Sequence, residues 1–199
     1  MASRTISPNY FVAIRVTDDG IKKTFDRVRE RMIKENANYL TVCSSRDDLH
    51  VSLCHLSIQT QTELHTAVEA LNSAAENIRS MQNKTTLKVK GIGTFGDVVV
   101  YGNVAYAREL SVLRSVIVSF LDAQGICWLD REFRPHMTIA KVTKSFTHKT
   151  GITHFPNTVY NADTDVVFGE EHVDAVRLCR MGSERGPDGF YVTDATVVV

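Results

Sequence analysis

The sequence of 199 residues contains few of the residues that mark specialised protein classes: four prolines, four cysteines and one tryptophan. The cysteines are far apart and form no Cys-x-x-Cys pair, which favours free thiols in a reducing compartment over a disulfide framework. No stretch approaches the roughly 18–20 apolar residues of a membrane span, and the N-terminus lacks the apolar region of a signal peptide. We therefore exclude disulfide-rich secreted proteins and integral membrane proteins. We expect a protein that is located in the cytoplasm and also in the nucleus, and that does not associate with membranes.

An excess of charge of either sign is also missing, because 23 lysines and arginines balance 23 aspartates and glutamates. This neutrality gives no indication of a protein that coats polyanions, although it is compatible with a local basic groove. Hydrophobic residues make up 43% of the chain and charged residues 23%, which are ordinary values for a globular protein. At this length the chain can bury a sizeable core as a single domain, 1–199, and we expect a monomer.

The hydrophobic pattern predicts elements in the order β-α-β-α-β-β-α-β, then a loop and two strands. The predicted strands cover 10–16, 49–58, 87–90, 98–104, 136–142, 173–180 and 190–198, and the predicted helices begin near Thr17, at Thr60 or Thr62, and near Ala107. The glycines at 91, 93 and 96 predict a turn between two strands, and 143–165, where periodicity is weak, is predicted to be a loop with one helix. This order is typical of an α+β fold in which strands outnumber helices.

Two of the predicted strands carry the same pattern at or next to their first residue, a histidine followed two residues later by a hydroxyl side chain. One strand reads His50-Val51-Ser52-Leu53, and the other, 86 residues further on, reads His136-Met137-Thr138-Ile139. Because side chains alternate between the two faces of a strand, each histidine shares a face with its hydroxyl residue. One copy would carry little weight, but two copies, each in an apolar run after a helix, indicate one site built from both strands.

Two imidazoles and two hydroxyls in one cleft suit the cleavage of a phosphodiester. A neutral imidazole accepts the proton of the attacking hydroxyl, and an imidazolium donates a proton to the leaving oxygen. The hydroxyls donate to the phosphoryl oxygens as charge builds there. This scheme requires no cofactor. We expect no metal, since a zinc site from His50, Cys54 and His55 has no recognised ligand spacing. Five residues after His50, His55 falls on the opposite face of an ideal strand, which predicts a structural or exposed role.

The motifs and their surroundings resemble the two-histidine phosphoesterase superfamily, and in particular the 2′,5′-phosphodiesterase-like central domain of A-kinase anchoring protein 7. The resemblance extends from about Asn9 to Tyr191, with similar stretches in the same order. These stretches are Asn9-Tyr10-Phe11, Gly91-Ile92-Gly93-Thr94-Phe95-Gly96, Phe133-Arg134-Pro135-His136-Met137-Thr138 and Phe168-Gly169-Glu170-Glu171.

The resemblance implies a two-lobed α+β fold, with antiparallel sheets flanked by helices around a central cleft. It also implies a metal-independent phosphodiesterase that cleaves 2′,5′-linked oligoadenylates and leaves a 2′,3′-cyclic phosphate. His50 and His136 would be catalytic, and Ser52 and Thr138 would bind the phosphate; Ser52 stands where many relatives have threonine, but the hydroxyl is kept. The chain ends at Val199, so we expect no C-terminal kinase-anchoring helix of the kind that larger relatives carry.

Two residues beside the motifs are further candidates for substrate binding. Phe95 is placed either to stack on a nucleobase or to close an edge of the core. Arg134 can direct its guanidinium to a phosphate, or can pair on the surface with Glu132 or Asp130. The Gly91–Gly96 segment lies between two predicted strands and opens no helix, which excludes a dinucleotide-binding loop.

The expected partner is therefore a 2′,5′-oligoadenylate or a short RNA-like nucleotide. Two alternatives stay open from the sequence. The same four residues could hydrolyse a 2′,3′-cyclic phosphate or trim an RNA end. A module that binds AMP-type nucleotides without turnover is the other alternative, although binding alone needs no pair of histidines.

Overall fold

A computed structural model of the chain describes residues 7–81, 85–105, 108–129 and 132–199. Within these residues the elements follow one another as β1-α1-β2-α2-β3-β4-α3-β5-α4-β6-β7-β8. The strands are β1 (Tyr10–Arg15), β2 (His50–Leu56), β3 (Thr86–Phe95), β4 (Val99–Val104), β5 (His136–Lys141), β6 (Val167–His172), β7 (Ala175–Arg180) and β8 (Thr193–Val198). The helices are α1 (Asp19–Glu35), α2 (Gln61–Arg79), α3 (Arg108–Ala123) and α4 (Lys144–Thr150), and short 3-10 turns span Ala37–Thr41, Arg46–Asp48, Asn157–Val159 and Asn161–Asp163.

The strands form an antiparallel sheet in the order β6-β3-β4-β5-β2-β1-β7-β8. Its halves, β6-β3-β4-β5 and β2-β1-β7-β8, are the two lobes that the resemblance predicts. They join in one continuous sheet where β2 lies beside β5, and the paired residues at this seam are Val51 and Met137. The α+β class and the two-lobed architecture are therefore confirmed.

Beyond the seam, β2 and β5 separate and take other partners. The segment before β2 covers the far part of β5, where Cys43 bridges Ala140. In the same way, the segment before β5 covers the far part of β2, where Trp128 bridges Leu56. Each strand thus pairs with the chain that leads into the other strand, and a cleft opens between them.

The main core lies between the sheet and the helices. The apolar residues of α1 that recur at helical spacing, Ile21, Phe25, Val28 and Met32, are all buried. Helix α1 packs against β6, and α2 packs against α3 and β8. Val51 and Met137 belong to this core, so the histidine-bearing face of β2 and β5 points away from it. Among the described helices, none has both the length and the apolar content that crossing a bilayer requires.

The glycine-rich segment is not one turn, as predicted, but mostly strand. Strand β3 continues to Phe95, and its pairing with β4 shifts register between Val89 and Ile92. The reversal itself occurs at Gly96 and Asp97, which both have φ of 55°. Glycine suits the left-handed backbone of such a tight turn because it lacks a Cβ atom.

The sequence patterns also missed β6, which lies at one edge of the sheet beside β3. Gly169 and two glutamates occupy this short strand, and such residues are depleted in strands. Glu171 on β6 is buried and accepts hydrogen bonds from the backbone of Thr17 and Asp18 and from the Thr17 hydroxyl. The Phe-Gly-Glu-Glu motif therefore fixes the start of α1. The predicted helix start at Ala107 lies outside the described residues.

Candidate active site

The four residues of the two motifs meet at the seam between β2 and β5. Because Val51 pairs with Met137 in antiparallel register, His50 lies opposite Thr138, and Ser52 lies opposite His136. These four residues are half-buried, whereas their apolar neighbours in both strands are buried. Directly opposite side chains on one face have Cβ atoms roughly 4.5–5.5 Å apart. Each imidazole is thus placed beside the hydroxyl of the other motif.

Both histidines are oriented by the same kind of hydrogen bond. His50 Nδ1 lies 2.6 Å from the carbonyl oxygen of Asp48, and His136 Nδ1 lies 2.7 Å from that of Arg134. A carbonyl can only accept, so Nδ1 carries the proton in the neutral ring. Nε2 is then the free basic nitrogen of both rings. The residue two positions before each histidine therefore fixes its tautomer.

Aromatic rings enclose His50 on several sides. Its ring centroid lies 5.0 Å from that of Phe11, 5.2 Å from that of Tyr191 and 6.4 Å from that of Phe190. This burial lowers the pKa of His50 from 6.5 to about 4, against the opposing effect of the hydrogen bond to the Asp48 backbone. His50 is therefore neutral across the physiological pH range.

The Tyr191 ring is itself held in place by a clamp of charged side chains. The guanidinium of Arg185 lies 4.0 Å above the Tyr191 ring. It also binds both carboxylate oxygens of Asp48, with Nε 2.5 Å from Oδ1 and Nη2 3.0 Å from Oδ2. Asp48 thus orients His50 through its carbonyl and holds the enclosing segment through its side chain.

His136 lies against a second pair of rings that leaves it more open. Its ring meets Phe95 edge-on at 5.0 Å and lies 5.3 Å from Tyr101, and these two rings are 4.3 Å apart. Gly93 makes room for Tyr101, because a Cβ at this position would lie 2.8 Å from the Tyr101 ring. Burial lowers the pKa of His136, and the hydrogen bond to the Arg134 carbonyl opposes that shift.

Two bulges bring further side chains to the histidine-bearing face. The pairing of β2 with β1 skips Leu53, and the pairing of β5 with β4 skips Ile139. An extra residue in a strand reverses the alternation that follows it. His55 and Lys141, each five residues after a motif histidine, therefore line the cleft. The prediction that His55 falls on the opposite face is wrong for this reason.

The cleft has a volume of about 600 Å³, within the range of small-molecule sites. Of the six candidate residues, Ser52, Phe95, Arg134 and His136 line it. His50 and Thr138, which lie opposite each other at the seam, are beside these lining residues and not among them. Arg134 also pairs with Glu132, with Nη2 2.7 Å from Oε2. Phe95 both contacts the rings beside it and stays partly exposed to the cleft.

Several residues of this site escaped the sequence patterns. Tyr191, Arg185 and Asp48 meet only because the chain after β7 folds over β1, and Arg114 reaches the cleft from α3. The bulges are nevertheless visible in the sequence, because the polar residues of both strands are spaced by two and then by three positions. These residues are His50, Ser52 and His55 in β2, and His136, Thr138 and Lys141 in β5. Among the described residues, no three His, Cys, Asp or Glu side chains are grouped to hold a metal ion.

Comparison with known proteins matches residues 8–199 to the family described as the AKAP7 2′5′ RNA ligase-like domain. Human A-kinase anchor protein 7 isoform gamma is 26% identical, with 96% of this chain and 57% of that protein covered. The chain thus spans just over half the length of this relative.

Solved structures share the fold at low sequence identity. LigT from E. coli has a TM-score of 0.66 at 18% identity, with 96% of both chains covered, and it has also been solved in complex with 3′-AMP. The MHV ns2 PDE domain has a TM-score of 0.60 at 16% identity, covering 88% of this chain and 100% of that domain. The family match covers nearly the whole sequence, and the paired His-x-Ser/Thr strands meet in the fold that these structures share. The chain therefore belongs to the AKAP7 2′,5′ RNA ligase-like domain family of the two-histidine phosphoesterases.

Proposed function

We propose that this protein is a phosphodiesterase that cleaves 2′,5′-linked oligoadenylates in the cleft between β2 and β5. The observation that carries the proposal is the matched pair of imidazoles. Both donate Nδ1–H to a carbonyl two residues earlier and keep Nε2 free, and a hydroxyl lies across the seam from each. A module that only binds nucleotides needs no such pair, so this arrangement favours catalysis.

In this mechanism the ribose 3′-hydroxyl attacks the phosphorus of the adjacent 2′,5′ linkage. His50 is the base, because its enclosed ring is neutral and its Nε2 can accept the 3′-hydroxyl proton. The new P–O3′ bond forms as the P–O5′ bond breaks. His136 is the acid and donates its Nε2 proton to the leaving O5′. The products are a 2′,3′-cyclic phosphate and a free 5′-hydroxyl.

The cleft supplies groups for the charge that develops on the phosphoryl oxygens. Ser52 and Thr138 donate hydroxyl hydrogen bonds to the non-bridging oxygens, and the Lys141 ammonium lies on the same face. The negative phosphate raises the pKa of a nearby imidazole, so bound substrate opposes the lowering by burial and favours the protonated form of His136 that the acid step requires. Phe95 offers a partly exposed ring on which an adenine can stack.

The choice of substrate is supported by the family and by its relatives. The family description refers to 2′,5′ linkages, the MHV ns2 domain is described as a PDE domain, and LigT binds 3′-AMP. A 2′,5′ linkage leaves the 3′-hydroxyl next to the scissile phosphorus, where the cleft can align it for attack.

The test is to incubate the purified protein with 2′,5′-triadenylate, 3′,5′-triadenylate and 2′,3′-cyclic AMP, with and without EDTA, and to identify products by mass. We expect cleavage of the 2′,5′ compound, with a cyclic phosphate product, in the presence of EDTA. Hydrolysis of 2′,3′-cyclic AMP alone would instead support the cyclic phosphodiesterase alternative. Cleavage that requires added Mg²⁺ or Zn²⁺ would contradict the mechanism.

His50→Ala and His136→Ala test the residue assignment. Each should lose roughly 10²–10⁴-fold in kcat, and the double variant should be little worse than either single one, because the two groups act as a unit. His65→Ala is the matched control, since His65 is exposed on α2. Activity near that of the unmodified protein in either motif variant would refute the assignment.

A further inference from the structure

The cleft holds a cation that the cleavage mechanism does not use. Arg114 on α3 lines the same cleft as Ser52 and His136. Arg114, Arg134 and Lys141 are the cationic lining residues and Glu132 is the acidic one, so the lining has an excess of two positive charges when histidines are neutral. One scissile phosphodiester carries a single negative charge. The described lining therefore has more positive charge than one such group requires.

Arg114 is fixed in position from three sides. Its Nε donates to the carbonyl oxygen of Leu53 at 3.0 Å, and its Cζ lies 5.2 Å from the Trp128 ring centroid and 5.1 Å from that of Phe133. Leu53 is the bulge residue of β2, which the ladder with β1 skips. The bulge thus frees a carbonyl that anchors the arginine, and the flanking rings hold its guanidinium by cation–π contact.

The outer edge of the guanidinium stays available for a ligand. Among the described residues, no carboxylate pairs with Arg114, and no group accepts a hydrogen bond from its terminal Nη atoms. Arginine presents its donors in a rigid planar fork that matches two oxygens of a phosphate. An oriented guanidinium with free donors in a cationic cleft is suited to an oxyanion.

We propose that Arg114 forms a second phosphate subsite, so that the preferred substrate is an oligonucleotide with two phosphate groups bound at once. Leu53 directly follows Ser52, so the Arg114 guanidinium lies one residue along β2 from the hydroxyl assigned to the scissile phosphate. The second phosphate is either the next internucleotide phosphate or a terminal 5′-phosphate, which share this chemistry. The inference rests on the proposed function for the position of the first phosphate.

Three ligands distinguish the two sources of the phosphate. The 2′,5′-adenylate dimer with a free 5′-hydroxyl carries one phosphate, the 5′-phosphorylated dimer adds a terminal one, and the trimer with a free 5′-hydroxyl adds an internucleotide one. Dissociation constants are measured by titration calorimetry at several salt concentrations, with His50→Ala added to every protein to block turnover, and turnover is measured separately in the proteins that keep His50. We expect the protein with Arg114 in place to bind one or both of the two-phosphate ligands about tenfold more tightly than the dimer.

Arg114→Met keeps the apolar stem and removes the charge, and Arg114→Lys keeps the charge but not the fork. Arg114→Met should lose this tenfold preference. For the two-phosphate ligands, the logarithm of its binding constant should also fall less steeply with the logarithm of salt concentration, by about 0.7 in the slope. Arg114→Lys should recover part of the preference. Arg108→Met is the matched control, because Arg108 is an exposed arginine on the same helix and does not line the cleft.

The outcomes separate this inference from the proposed function. A selective loss of two-phosphate binding in Arg114→Met, without cleavage of any ligand by the unmodified protein, would support the subsite and refute the proposed activity. If the unmodified protein cleaves the ligands, and Arg114→Met binds all three ligands equally weakly or as tightly as before, the activity would be supported and the subsite overturned. Thermal unfolding checks that both variants are folded, and Arg114→Lys decides the question if Arg114→Met is not.

Discussion

Replacement of Tyr191 by alanine should change the pH dependence of the proposed cleavage more than its maximal rate. The Tyr191 ring covers His50 at a centroid distance of 5.2 Å and an interplanar angle of 82°. Its removal admits water to the imidazole, and the pKa of His50 should rise from about 4 toward its ordinary value of 6.5. Phe11 and Phe190 remain in place, so 6.5 is the upper limit of this change.

The size of the effect follows from the neutral fraction of His50, which the proposed base must supply. At pH 5.5 a histidine with a pKa of about 4 is almost wholly neutral, whereas at a pKa of 6.5 only about one ring in ten is neutral. Tyr191→Ala should therefore lower kcat/KM at pH 5.5 by up to about tenfold and change it little at pH 8. The acidic limb of the kcat/KM profile, which reports the free enzyme, should move to higher pH.

The assay combines that profile with an NMR titration of the His50 imidazole, which measures the pKa directly. Tyr191→Phe is the matched control, because it keeps the ring and should leave the pKa of His50 unchanged. Folding stability gives a second readout. The unfolded chain protonates His50 at its ordinary pKa and the folded chain only near 4, so this residue lowers stability as pH falls from about 6.5 to about 4. A titration of His50 near 6.5 in the unmodified protein, or an unchanged pKa in Tyr191→Ala, would refute the reasoning.

Other substitutions test the remaining parts of the site. Gly93→Ala should displace Tyr101, since the new Cβ would lie 2.8 Å from its ring, and activity should fall while thermal unfolding still shows one cooperative transition. Ser52→Ala and Thr138→Ala should each lower kcat by roughly 10²-fold with a smaller change in KM, because these donors act on charge that builds in the transition state; steady-state kinetics in which only KM rises would contradict this. Glu171→Ala should cost about 2 kcal/mol or more of unfolding free energy in urea titration, because it removes the acceptor of three hydrogen bonds at α1, and kinetics of the folded variant should be unaffected.

The sequence predicted most of the fold because periodicity is strong where one face is buried. The two motif strands and α1 and α2 follow such patterns, and α2 begins at Thr60 with a capping box to Glu63. The misses have two physical causes. Strand β6 carries residues that rarely form strands, and β3 continues through glycines that accommodate a bulge and a close ring. Tertiary pairing overrides local propensity at both places.

The candidate site was predictable only as far as strand alternation holds. His50, Ser52, His136 and Thr138 precede the bulges, so an ideal strand places them correctly. His55 and Lys141 follow the bulges and therefore change face. Both strands show polar residues at spacings of two and then three, and a repeated irregularity of this kind is the pattern by which paired bulges can be recognised. The surroundings of His50 and Arg114 depend on distant segments, for which the local sequence carries no signal.

The cleft exists because β2 and β5 pair only at the seam. Beyond the seam, each of these strands pairs with the segment that precedes the other one. Ser44 donates its backbone N–H to the Ile139 carbonyl beside β5, and Leu129 donates its own to the His55 carbonyl beside β2. These exchanged segments satisfy the backbone groups that the separating strands would otherwise leave unpaired in a buried region. The same geometry places both bulges beside the opening, where Leu53 anchors Arg114 and where Lys141 turns toward the cleft. The hydrogen bonds that let the two strands separate therefore also determine which charges surround the proposed phosphate site.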